Sequence, residues 1–475
     1  MGAVGRAWSL GGAAAILSFA FSWVPSYWAD EVATMRATML PPAELLRFTT
    51  THVDAGHTVY YLALHYWASV FGFGEASTRG FSAVGVGVAT ALLALIGQRL
   101  GRPRLALLAA ALFALMPRMT WAGTEARSYA WTAALAAAVW LILLIALERG
   151  GWWWVLLGVV ATFSVAVFLT TSTLLAAQLA YVLLRRRRAA LPLLAAWLAA
   201  LAAASPVLYL GWSQRAQVSW IGANGAFTPW TVLVEPWGET SWAYGLAVWL
   251  VLIVGAVRWR ETLRRACPDW LLLAGAWVVV PFVITVGLSL IVTPLFTARY
   301  LTFAMPGFAM LLSAALASLV SLRTRRVAAA VAVALVLIAI PTYIGQRMPF
   351  AKPRESDLRL VAQTVHDHSR PGDAILFAPG RPREALYAYP QDFDGLVDLA
   401  LKTPFPASGK FSDDTVPLSK RTERLAGIRS VLLVIPRHGT PCTQPRDAAT
   451  LRAHGYIPVA RWPTHREVVC RFTRD

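Results

Sequence analysis

The sequence predicts a polytopic α-helical membrane protein that ends in a small α/β domain. Three observations predict it. Hydrophobic residues make up 57% of the 475, and charged residues only 14%, against roughly a quarter charged in soluble domains. Apolar stretches recur along the first 345 positions at close to the length of about 20 residues that crosses a bilayer. The acids are unevenly divided: eleven of the 25 lie in positions 1–350 and fourteen in the last 125. A water-facing tail therefore follows a membrane body, with the division at 1–345 and 346–475.

In chain order the candidate spans are 8–24, 80–98, 104–120, 129–147, 152–168, 171–184, 189–211, 241–257, 270–292, 300–320 and 327–345. That makes about eleven transmembrane helices. Arg6 precedes the first, and no small-residue cleavage site follows it. It reads as an uncleaved span anchored by Trp23, Pro25, Tyr27 and Trp28. The run 57–74 is apolar but holds His57 and His65. If it lies along the surface, Arg6, Arg99/Arg102/Arg104, Arg149, Arg185 to Arg188, Arg258/Arg260/Arg264/Arg265 and Arg323/Arg325/Arg326 all fall on one side. The positive-inside rule thus makes 57–74 an interfacial helix within an outer loop at 25–79. It puts the N-terminus in the cytoplasm and the C-terminal domain outside the cell membrane. The stretch 152–184 is short for two spans, with Thr170 to Thr173 as its outward turn.

The net charge of +18 follows from these arginine clusters and suggests cytoplasmic loops, not a nucleic-acid partner. The 21 tryptophans suit bilayer interfaces.

In the tail, Ser356 caps a helix to His366, and Pro371-Gly372-Asp373 turns into a strand at 374–377. A second strand is expected at 431–435, a helix at 446–454 and two strands within 456–473. The stretch 402–420, rich in Pro, Ser, Gly and Lys, reads as a loop. Cys442 and Cys470 share this outward domain, where a disulfide is permitted; Cys267 falls in an inside loop.

Eight of the body's acids face outward in this topology: Asp30, Glu31, Glu44, Asp54, Glu75, Glu125, Glu235 and Glu239. None sits at a span centre, where a proton-coupled pump would place them. Asp30-Glu31 directly follows the first span. A carboxylate placed there, between water and lipid, suits a general base, although the same position simply marks a membrane exit. His52, Asp54 and His57 suit a divalent cation, or orient a sugar hydroxyl. Glu125-Ala126-Arg127-Ser128-Tyr129 and Thr297-Ala298-Arg299-Tyr300 stand at outward span ends. Their arginines either snorkel to head groups or clamp a phosphate through bidentate contacts. Residues 222–245 hold Asn224, Trp230, Glu235, Trp237, Glu239 and Trp242, a set that fits sugar stacking and an interfacial belt equally. There is no Gly-rich phosphate loop, catalytic-serine elbow or Cys-x-x-Cys pair.

Tyr27-Trp28-Ala29-Asp30-Glu31 resembles the catalytic loop of GT-C glycosyltransferases. His52-Val53-Asp54-Ala55-Gly56-His57-Thr58-Val59-Tyr60-Tyr61 resembles its continuation, with Gly56-His57-Thr58 where family members often carry Pro-Pro. Arg79, Glu125 to Tyr129, and Arg299-Tyr300 with Pro306 complete the series in the order of the protein mannosyltransferase and aminoarabinose transferase branch. The resemblance implies a GT-C-like fold and transfer of a sugar, mannose first, from a polyprenyl-phosphate donor. The acceptor would be a glycolipid, lipoglycan or protein of the cell envelope. Asp30 would deprotonate the acceptor, Glu31 would help orient the acceptor or the base, and Arg127, Tyr129, Arg299 and Tyr300 would hold the donor phosphate. His52, Asp54, His57 and Glu125 would line the acceptor loop. The Ala- and Arg-rich composition suits an actinobacterial source, where mannose and arabinose donors share this lipid handle. A lipid or polysaccharide transporter is the alternative; it needs a polar path through the span centres, which carry only scattered Ser, Thr and Gln. A non-catalytic scaffold is the third reading.

Overall fold

The computed structural model describes residues 2–219, 221, 227–265, 267–292, 296–319, 325–379, 381–437 and 441–474. Asn224 and Arg323 lie outside the described residues. The chain forms two units. One comprises Met1–Trp23 and Asp54–Gln346, the other Val24–Val53 and Arg347–Asp475. Positions 24–53, expected to belong with the membrane body, instead pack with the C-terminal domain.

Helices numbered along the chain begin with α1 (Ala3–Phe19); α2 (Ala29–Met39) and α3 (Pro42–Thr51) fall in the second unit. The first unit continues with α4 (Thr58–Phe71), α5 (Glu75–Arg99), α6 (Pro103–Leu115), α7 (Pro117–Ala122), α8 (Tyr129–Arg149), α9 (Trp153–Val167), α10 (Leu174–Arg185), α11 (Ala190–Ala203) and α12 (Ser205–Ser213). Three long helices follow at Trp242–Arg265, Asp269–Ile291 and Arg325–Gly345, and Ala298–Ala304 leads into Met305–Ser318. Among the described residues six helices are long and apolar enough to cross a membrane, and α11 with α12, bent by 56°, makes a seventh. α6 and α9 are shorter apolar helices. α4 has 14 residues, about 21 Å at 1.5 Å per residue, against a hydrocarbon core of roughly 30 Å. It is too short to span. Tyr60, Tyr61, Leu64 and Ala68 are buried while Tyr66, Val70 and Phe71 are exposed, as a helix lying on a surface requires.

Two local features arrange this unit. α1 and α5 cross where Gly11 meets Gly87: a Cβ on either would stand 2.6 Å from the other's carbonyl oxygen, so only glycine permits the approach. The expected span 104–120 breaks before Pro117. Met116 has φ −60° and ψ 133°, the extended conformation a following proline imposes, and α7 starts afresh with Pro117 in its first turn.

The second unit is α/β. Its strands are β1 (Ala374–Phe377), β2 (Val397–Asp398), β3 (Leu401–Thr403), β4 (Asp414–Thr415), β5 (Ser430–Pro436), β6 (Ile457–Pro463) and β7 (Glu467–Thr473). Five of them form one sheet in the order β2-β1-β5-β7-β6. β1 is parallel to β2 and β5, and β5, β7 and β6 are antiparallel. The helices Leu358–Asp367 and Arg446–Ala453 carry apolar faces through Val361, Ala362 and Val365, and through Ala448 and Leu451. Cys442 and Cys470 are joined by a disulfide.

Two tail expectations need correction. Ser356 does not cap the helix, whose preceding residue is Asp357; its hydroxyl donates to the Tyr27 carbonyl at 2.6 Å. Positions 402–420 are not one plain loop. β3 pairs with β4, and Phe405 and Phe411 pack on Phe48 of α3 at 5.0 and 5.4 Å between ring centres. Both departures arise because 24–53 packs here, which the spacing of residues in the chain does not reveal.

Glu467 opens β7 with Oε2 buried and without a hydrogen-bond partner among the described residues. Burial first, and then neighbouring Asp357, push its carboxyl from 4.5 up to about 7. The folded state then binds the proton more tightly than the unfolded one. Stability falls as pH rises from about 4.5 to about 7. Glu467→Gln is expected to flatten that slope in thermal unfolding of the full chain; an unchanged slope would reject this carboxyl as its origin.

Candidate active site

The carboxylate loop belongs to the second unit. Trp28 is extended, at φ −130° and ψ 171°, and the chain turns helical at Ala29. Asp30 and Glu31 thus occupy the first turn of α2, where the helix dipole favours negative charge. The two are not equivalent. Asp30 is partly exposed, whereas Glu31 is fully buried with the Lys352 ammonium 3.9 Å from its Oε1. Asp30 is reachable from the surface, whereas Glu31 is not.

The loop is braced from the tail. Arg359 donates to the carbonyls of Val24 and Pro25 at 3.1 and 3.3 Å. The Tyr27 N–H donates to the Tyr389 hydroxyl at 3.1 Å. Further along α2, Arg36 donates to Asp413 Oδ1 and to the Phe411 carbonyl, both at 2.8 Å, and lies 3.8 Å over the Tyr387 ring. Arg383 donates to Asp398 and, at 3.1 Å, to Asp413 Oδ2. Burial raises the Asp413 pKa, but the Phe405 N–H, Arg36 and Arg383 outweigh it and hold the carboxyl below its ordinary 3.8.

In the first unit, Asp54, His57 and Arg127 come together around a residue the sequence reading did not single out, Tyr61. Asp54 has a left-handed backbone, φ 68°, at the bend into α4. Its Oδ1 stands 3.1 Å from His57 Nδ1, and its Oδ2 accepts from the Tyr61 hydroxyl. Arg127 donates to the Tyr61 oxygen at 3.2 Å and lies 3.3 Å from His57 Nε2. Burial opposes the charge on Asp54, but His57, Arg127 and Tyr61 together hold its pKa well below 3.8. Phe168 ties in the remaining aromatics: His57, Tyr129 and Tyr300 each place a ring 5.1–6.1 Å from it. A cavity of about 410 Å³ opens here, lined mainly by apolar groups, with Asp54, His57, Gln214, Arg215 and Tyr300 as polar contributors.

Glu125 is buried, and its carbonyl accepts from Ser82 Oγ at 2.6 Å. Arg299, in the turn Ala298–Ala304, lies within electrostatic range of Glu235 together with Arg118. Arg118 is nearly fully buried and donates to the Glu235 carbonyl at 2.6 Å. Arg118 was not among the expected residues. Its only signal in the sequence is Pro117, which restarts the helix.

The three-ligand metal reading is not assembled. Among the described residues no group of three His, Cys, Asp or Glu side chains is placed to hold a metal ion. Asp54 spends both oxygens on His57 and Tyr61, and the exposed His52 instead places its ring 5.5 Å from Phe48.

Apolar helices, a carboxylate pair in the first turn of α2 and a C-terminal α/β unit make up the fold. Residues 58–210, about a third of the chain, match the family model described as dolichyl-phosphate-mannose-protein mannosyltransferase. The fold is similar to that of ArnT from Cupriavidus metallidurans, solved with undecaprenyl phosphate: TM-score 0.61 at 14% identity, covering 99% of this chain and 98% of that one. It is also similar to the archaeal oligosaccharyltransferase AglB from Archaeoglobus fulgidus, solved with an inhibitory peptide and a dolichol-phosphate: TM-score 0.53 at 11% identity, covering 90% and 69%. No curated protein matches the chain by sequence. The chain therefore shares the fold of ArnT, the GT-C fold.

Proposed function

We propose that the protein transfers a sugar, mannose first, from a polyprenyl-phosphate donor to a cell-envelope acceptor on the outer face of the cell membrane. The observation that carries this reading is the largely apolar cavity of about 410 Å³ bordered by Asp54, His57 and Tyr300, with Arg127 held on His57 and Tyr61. A largely apolar volume whose lining residue His57 contacts a buried guanidinium suits a lipid chain joined to a phosphate. The ArnT neighbour, which holds undecaprenyl phosphate, supports the donor class.

In this reading Asp30 takes the proton from an acceptor hydroxyl. The acceptor oxygen attacks the anomeric carbon, and the bond to the phosphate oxygen breaks. Polyprenyl phosphate leaves with the electron pair, and the anomeric configuration inverts. Arg127 and Arg299 stabilise the departing phosphate charge, and Tyr129 and Tyr300 shape its surroundings through Phe168. Glu31 positions the start of α2. His57 and Asp54 orient Arg127.

The test uses the purified full chain in membranes with radiolabelled polyprenyl-phosphate mannose and, in parallel, the arabinose donor. Label is expected to pass from the mannose donor to an envelope glycolipid, lipoglycan or protein. Transfer from the arabinose donor alone would replace the sugar assignment. Transfer from neither would reject the donor class.

A further inference from the structure

A second cavity, of about 330 Å³, lies wholly within the second unit against the helix that carries Asp30. Ala29, Val32 and Ala33 form one wall. They stand at i, i+3 and i+4 and so share one face of α2. Asp30 follows Ala29 directly, at the border of that face. Glu384 and Asp413 supply carboxylates, Ser412 and Thr415 hydroxyls, and Tyr387 and Phe411 aromatic surface.

The balance of charge selects the ligand. Arg383 also lines the cavity, but its guanidinium is bonded to Asp398 and Asp413, so the pocket is not built for an anion. A carboxylate offers about four acceptor sites. Asp413 uses three of them, on Arg36, the Phe405 N–H and Arg383. Carboxylates and hydroxyls beside a ring and a small-residue wall match a molecule with many hydroxyls and an apolar C–H face. The volume falls within the roughly 300–1,000 Å³ of small-ligand sites.

We propose that this pocket binds a saccharide portion of the acceptor and presents its hydroxyl beside Asp30. The inference rests on the reading of Asp30 as the base, and it gives the acceptor a chemical class: a glycan or glycolipid head group instead of a peptide.

Thr415 and Ser412 are exposed at the rim, so Thr415→Trp and Ser412→Trp narrow the entrance with little risk to the core. Saturation-transfer NMR on the full chain in nanodiscs would use short oligosaccharides of mannose, arabinose and glucose, with a Ser/Thr peptide as the contrasting probe. At least one oligosaccharide is expected to bind wild type, with affinity lowered about tenfold or more in either variant. Binding of polyprenyl phosphate should be unchanged. In the transfer assay the acceptor KM should rise and the donor KM should not. Absence of saccharide binding, equal binding by both tryptophan variants, or binding of the peptide in its place would overturn the proposal. Saccharide binding at this rim in a protein that transfers nothing would instead count against the glycosyltransferase mechanism and leave the pocket standing.

Discussion

Asp30→Asn is expected to abolish sugar transfer, lowering kcat by roughly 10²–10⁴ as for loss of a general base. The donor KM and the thermal midpoint should stay near wild type. The expectation follows from geometry. Asp30 is partly exposed on the first turn of α2, so the isosteric amide fits the same space. Glu31→Gln provides the contrast. Its carboxylate is buried near Lys352, so the amide should lower the thermal midpoint as well as activity. Initial rates and midpoints measured together on both variants decide the matter. Normal transfer by Asp30→Asn would remove it as the base, and a thermal loss equal to that of Glu31→Gln would make its role structural.

The second large effect is expected at Asp413, far along the chain from the carboxylates. Asp413→Asn removes the charge that Arg36 and Arg383 share. Their side chains are only 12%, 10% and 7% exposed for Arg36, Arg383 and Asp413. Breaking a buried pair by removing one partner costs about 3–5 kcal/mol, and the lower end suits a site where Asp398 still neutralises Arg383. The pH dependence has a definite sign. The folded pKa of Asp413 lies below its ordinary 3.8, so its contribution is fully present above that value and is lost as pH falls through the folded pKa. The variant should have a lower midpoint at neutral pH and a shallower acid limb. Because Arg36 is on the same helix as Asp30, kcat should fall too. A midpoint within a degree or so of wild type would show that the network does not hold α2.

Much of this was legible in the chain. The apolar runs found the helices of the membrane body because lipid demands internally bonded, apolar segments. The arginine clusters and the 14-residue length of α4 agree that 57–74 is not a span. Five of the tail's elements, at 374–377, 430–436, 446–453, 457–463 and 467–473, announced themselves through apolar runs and turn residues. The ordered motifs pointed to the GT-C fold before any coordinates did. Other features were not legible. Tyr61 is one tyrosine among several in α4, and only the fold places its hydroxyl between Asp54 and Arg127. Arg118 looked like the end of a span until Pro117 restarted the helix. His52 looked like a partner of Asp54 by spacing, yet the two residues fall in different units.

The carboxylate pair itself is the plainest case of the division. The sequence by itself led to the expectation that Asp30 and Glu31 follow a first apolar segment and begin a loop, because hydropathy and charge act locally along the chain. Only the tertiary structure decided that this loop folds with residues 347–475, that Glu31 is buried near Lys352, and that Asp30 stays accessible. The reason is physical. Burial and ion pairing depend on which distant groups share a low-dielectric space, and no spacing of residues along one strand of sequence encodes that.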